Sequence, residues 1–69
     1  MTFDVYGRFR LEVQRENDSW VAYRLGFGTR VKIHNVVIPE TLEPEEIAIF
    51  LDDVFHELSR PGQSVKLLR

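Results

Sequence analysis

Phe3-Asp4-Val5-Tyr6-Gly7-Arg8-Phe9-Arg10-Leu11-Glu12-Val13 is the stretch that decides the fold class. Its odd positions are apolar or glycine; its even positions, Asp4, Tyr6, Arg8, Arg10 and Glu12, are charged or carry a polar tip. Strict alternation marks a strand with one buried and one wet face, because successive side chains point to opposite sides of a sheet. The pattern predicts a long first strand over about 3–15. Gly7 has no side chain to pack, so a bend or bulge is expected there.

Beyond this strand, Glu16-Asn17-Asp18-Ser19 is turn chemistry, since Asn and Asp tolerate left-handed backbone and bond their own main chain. A second strand is predicted over 20–25, with Val21, Tyr23 and Leu25 inward. Gly26-Phe27-Gly28-Thr29 turns the chain again, and a third strand follows over 30–38. Val31 and Ile33 keep its inward parity, and an extra residue near Asn35 explains the slip after them. Pro39 ends it. Glu43-Pro44-Glu45-Glu46 opens a helix over about 44–59: proline suits the first helical position, and acids there meet the positive end of the dipole. Ile47, Phe50, Leu51, Val54, Phe55 and Leu58 fall on one broad face at about 100° per residue. Pro61-Gly62 closes the helix, leaving an extended tail at 63–69, either frayed or a fourth edge strand. The expected architecture is one small α+β domain over 1–69: a three-stranded antiparallel sheet (β-β-β-α) with a C-terminal helix on one face. Its expected core is Phe9, Leu11, Val13, Val21, Tyr23, Val31, Ile33, Phe50, Leu51, Val54 and Leu58.

Composition narrows the function without naming it. The chain has 69 residues, 43% of them apolar and 29% charged, an ordinary globular balance. A domain of this size has a core worth at most about 3–5 kcal/mol unless a staple or a second copy adds area. The absence of cysteine excludes disulfides, thiol catalysis and cysteine-rich zinc sites, and it fits a reducing cytoplasm. No apolar run reaches membrane-span length, and the opening Met1-Thr2-Phe3-Asp4 does not read as a signal peptide. A cytoplasmic address with no membrane partner is therefore expected. Charge follows structure: residues 1–38 carry six basic and four acidic side chains, whereas 39–69 carry three and seven. A net of −2 thus covers halves of opposite sign, an asymmetry that can mark an interaction surface.

Four local features invite a chemical reading, and each has a plain structural one. Asp52, Asp53 and His56 put two carboxylates beside an imidazole on the outer helix face, but zinc needs three or four protein ligands in tetrahedral array. The expectation is a solvated helix face with no metal. Gly26-Phe27-Gly28 lacks the third glycine and the following helix of a dinucleotide loop, and reads as a turn. Ser19, Ser59 and Ser64 have no histidine beside them in sequence, so neither an enzyme nor a cofactor is expected. Ile49 is an apolar residue within the polar helix face, and as such an interface candidate.

The outer sheet face supplies the main lead. If the first turn places Val13 opposite Val21 and the second places Leu25 opposite Val31, then Arg10, Arg24 and Lys32 form a row, bordered by Arg8, Tyr6 and Trp20. Like charges directly across a sheet destabilise it, so such a row invites an anionic partner. Arg8, Arg10, Arg24 and Lys32 are accordingly the anion- or partner-binding candidates. Against nucleic acid stand a pI near 5.6 and the lack of an RNP-type aromatic motif.

Phe3-Asp4-Val5-Tyr6-Gly7-Arg8, Val37-Ile38-Pro39 and Leu51-Asp52-Asp53-Val54-Phe55-His56-Glu57-Leu58 give the chain a resemblance to a family of short bacterial proteins of unknown function. The resemblance implies a bacterial cytoplasmic protein and brings no activity, cofactor or site. The functional expectation is a non-enzymatic protein-interaction module, self-associating as a weak two-fold dimer through a strand edge or the Ile49 face. The alternative is a nucleic-acid or polyanion binder using the basic sheet face.

Overall fold

A computed structural model describes residues 1–69. The fold is α+β: one antiparallel sheet with one helix on one face. The sheet has five strands rather than three: β1 (Thr2–Val5), β2 (Phe9–Glu16), β3 (Ser19–Gly26), β4 (Thr29–Lys32) and β5 (Val65–Leu67), in the order β4-β3-β2-β1-β5. The helix α1 (Ile47–Phe55) is entered through a 3-10 turn at Pro44–Glu46 and left through another at His56–Leu58.

The two extra strands come from places the alternation did not resolve. The predicted strand over 3–15 breaks at Tyr6-Gly7-Arg8 and folds back on itself, with Val5 opposite Phe9. Tyr6 and Gly7 both take positive φ, 56° and 69°, so the anticipated bend is a full reversal. The tail is a true edge strand: Phe3 pairs with Leu67 and Val5 with Val65. The helix is therefore not C-terminal, and its regular part is shorter than 44–59. The third strand is also shorter than predicted, because pairing with β3 ends at Lys32 and residues 33–43 form a connection.

The registers differ from the expected ones by one residue, and that difference exchanges faces. Asn17 and Asp18 both adopt left-handed backbone, φ 50° and 65°, and close a two-residue turn with Glu16 opposite Ser19. Val13 then faces Ala22, not Val21, and Leu11 faces Arg24, not Tyr23. A slip of one residue moves every side chain of a strand to the other side. Ala22 enters the core, while Val21, Tyr23 and Leu25 go to the face away from the helix.

The core is one cluster of nine buried residues: Phe3, Val5, Tyr6, Leu11, Val13, Ala22, Ile38, Ile47 and Leu51. Phe9, Ile33, Phe50 and Phe55 pack against it, whereas Val31, Val54 and Leu58, expected inside, are exposed. The helix starts beside the Asn17–Asp18 end of the sheet, where Trp20 Nε1 donates to the Leu42 carbonyl at 3.0 Å and Arg15 donates to that of Glu40 at 2.8 Å. Its entry is capped, with the Glu43 N–H donating to Glu46 Oε1 at 2.8 Å. It ends at the opposite pole, where Phe55 meets Phe9 edge-on at 5.3 Å and Arg8 Nε donates to the Leu58 carbonyl at 3.0 Å. No helix is long and apolar enough to cross a membrane.

Candidate interaction surface at the arginine-rich end of the sheet

The β3–β4 hairpin turns on Phe27 and Gly28, with Gly26 opposite Thr29. Gly28 takes φ 65°, which a residue without Cβ adopts freely. A Cβ on Gly26 would come within 2.7 Å of Thr29 Oγ1, so the Thr29 side chain occupies the space that a larger residue there would need. This geometry leaves Phe27 with no surface to lie on, and its exposure is 106%. One open groove of about 560 Å³ beside it is lined by Phe9, Arg10, Leu25, Gly26 and Phe27. A second, of about 320 Å³, runs along β4 and is lined by Arg24, Leu25, Thr29, Val31 and Ile33 among others.

Arginines surround these grooves, and Arg8, Arg24 and Arg30 are each placed by a specific contact. Arg24 lies on the helix side of the sheet, its guanidinium 4.6 Å from the Phe9 ring centre. Arg10 is exposed on the other side, between Asp4 and Leu25. Arg30 stacks 4.0 Å from the Tyr23 ring and makes the only ion pair of the molecule, 2.9 Å to Glu12 Oε1. Arg8 sits at the same pole, turned to the helix end. Lys32 stands one position pair further along, opposite Tyr23 on the exposed edge strand.

The expected row of Arg10, Arg24 and Lys32 does not form. The two-residue turns put Arg24 on the helix face, with Arg10 and Lys32 on the far face, and Arg10 lies opposite Leu25. The far face carries alternating charge instead. Tyr23 donates to Glu16 Oε2 at 2.7 Å and Gln14 to the same oxygen at 2.5 Å, and these bonds hold the Glu16 carboxyl below the usual carboxylate range. Trp20 and Tyr6, expected beside the row, belong to the helix side and the core.

Asp52 and His56 are taken up by structure, and the Asp53 carboxylate stays exposed. The buried Tyr6 hydroxyl donates to Asp52 Oδ1 and reaches its carbonyl at 3.1 Å. Burial first, and then this bond, push the phenol up to about 12. His56 Nδ1 donates to the Asp53 carbonyl at 2.8 Å. No three His, Cys, Asp or Glu residues come together as a group that could hold a metal ion. Ile49 is exposed at 67% on a ridge of the helix. On one side is a groove of about 180 Å³ lined by Leu42, Glu46, Ile49, Phe50 and Asp53; on the other is one shared with Ala48, Asp52, Ser64 and Val65.

Phe27 and Tyr6 are the residues that sequence reasoning missed. An aromatic at the apex of a Gly-Phe-Gly turn has nowhere to be buried, and that signal was present. Tyr6 had none, because its parity is that of the wet face.

Fold and surface together define a small single-layer sheet domain with one covering helix and an arginine–aromatic pole. The whole chain, residues 1–69, matches a domain of unknown function, DUF7661, and belongs to that family. No curated protein and no solved structure matches it.

Proposed function

We propose that the protein is a non-enzymatic interaction module that binds a protein partner through Phe27 and the arginines around it. The observation that carries this reading is the complete exposure of Phe27 between two grooves bordered by Arg10 and Arg24. Aromatic residues and arginine are enriched where protein interfaces concentrate their binding energy, because both bury large area at the desolvated centre of the contact. A basic rim selects an acidic surface.

The runner-up, a nucleic-acid binder, draws on the same arginine and aromatic chemistry. It is weakened by the division of the cations between two faces and by the Arg30–Glu12 pair. Capture on immobilised protein from lysate of the source organism, with and without nuclease treatment, tests the reading. A protein retained by the wild type and lost from a folded Phe27→Ser variant is the expected result. Retention that vanishes with nuclease would transfer the role to nucleic acid. Equal retention by both proteins, or none by either, would retire the proposal.

A further inference from the structure

We infer that the surface receiving Phe27 is the Leu42–Ile49–Phe50 groove of a second copy of this chain. This inference rests on the reading of Phe27 as the contact residue and adds an identity for the partner.

Three features match. The groove has apolar walls from Leu42, Ile49 and Phe50, and its volume is about 180 Å³. A closed cavity of about 150 Å³ lined by such side chains takes up a benzene ring; this groove has a similar volume and is open to solvent, so it can seat one face of a phenyl ring. Its rim is acidic, with Glu46 and Asp53 exposed on the same lining. The rim around Phe27 is basic, with Arg10 and Arg24 lining the flanking grooves. Knob and groove therefore agree in size, polarity and sign of charge.

The competing self-contact, pairing of strand edges, is guarded. β4 and β5 are short, four and three residues, and carry Arg30 and Lys32 on one and Lys66 on the other. Short edges with basic side chains are how sheets avoid edge-to-edge pairing. The knob and the groove are different patches, so one seating leaves a free knob on one copy and a free groove on the other. Two copies close as a two-fold dimer where both seatings form at once, and add head to tail into short chains where they do not.

Sedimentation velocity on the purified full chain, over a concentration series at 50 and 500 mM NaCl, measures the association. The wild type is expected to associate more strongly at low salt, because the rim charges are exposed and screened by ions. Phe27→Asp removes the knob and Ile49→Lys spoils the groove; each alone should weaken self-association about tenfold or more. Both positions are exposed, and circular dichroism confirms that each variant is folded. Mixing the two variants is decisive, since the intact groove of one meets the intact Phe27 of the other. A mixed complex that forms and grows no further is the expected result. A wild type that stays monomeric at every concentration, a Phe27→Asp protein that associates like the wild type, or folded variants that fail to combine would each overturn the inference. Loss of this contact with Phe27-dependent capture from lysate intact would point to a foreign protein partner and leave the broader reading standing.

Discussion

Tyr6 shows how much of this fold hangs on single side chains. A buried aromatic at φ 56° is rare, because Cβ crowds the following carbonyl in left-handed backbone. What holds it there is the hydroxyl, which ties the β1–β2 turn to Asp52 on the helix. Parity assigned Tyr6 to the wet face, and spacing assigned Asp52 to a candidate ligand set; neither rule can see a bond between residues 46 positions apart. Tyr6→Phe should cost about 0.5–1.5 kcal/mol, the net worth of one hydrogen bond. The phenol ionises near 10 when unfolded and at about 12 when folded, so its stabilising contribution is complete below pH 10 and disappears as pH rises from about 10 to 12. Urea unfolding between pH 8 and 12 should therefore show a steep alkaline loss in the wild type and a shallower one in Tyr6→Phe. Glu16 offers the acidic counterpart. The hydrogen bond from Tyr23 heads the causes that lower its carboxyl below 4.5, so Tyr23→Phe should raise the midpoint toward that value. Carbon-detected NMR titration of the carboxyl reads this directly, and an unmoved midpoint would show that the bond does not form in solution.

The turns, more than the strands, decide which face each strand presents. Period-two alternation was legible in β2, and the helical stripe correctly placed Ile47 and Leu51 inward. Turn length was not legible at that resolution, because Glu16-Asn17-Asp18-Ser19 is compatible with a loop of two residues or three. The difference of one residue moved Val21, Tyr23 and Leu25 outward and divided the arginines between faces. Asn-Gly is the favoured pair where both central residues need positive φ, so Asp18→Gly should stabilise the hairpin by a few tenths to about 1 kcal/mol. The observed register also predicts amide exchange. In an antiparallel pair, alternate residues turn their N–H groups toward the neighbour, and Ile33 N–H donates to the Ala22 carbonyl at 3.0 Å. By this alternation Val31 points at β3, while the amides of Arg30 and Lys32 face away at the free edge. Hydrogen exchange should be slow at Val31 and Ile33 and fast at Arg30 and Lys32, and the reverse pattern would show that β4 does not pair with β3 through the edge described.

At the scale of the whole molecule, the charge split of the sequence becomes a polarity in space. Glu40, Glu43, Glu45 and Glu46 gather where the helix begins, and Arg8, Arg10, Arg24 and Arg30 lie toward the end where it stops. Acids at the positive end of the helix dipole and a cation at its negative end suit the helix as well as any partner, which is why charge pattern alone could not name a function. β1, β2, β3 and α1 all contribute to one nine-residue cluster, and no second cluster holds part of the fold when it fails. Leu51, one of the two buried residues of α1, is fully buried within it. Replacing it with Ala removes the transfer energy of the side chain and leaves a cavity, about 2–5 kcal/mol together. A core of this size supplies only about 3–5 kcal/mol in total. Leu51→Ala should therefore be largely unfolded at room temperature, with far-ultraviolet circular dichroism and amide dispersion lost together. Retained dispersion in β1 and β2 alone would mean that the hairpin is stable without the helix. The exposed Ile49, two positions earlier, should tolerate the same change with a stability loss within about 0.5 kcal/mol; the contrast between the two separates burial from helix propensity as the source of the effect.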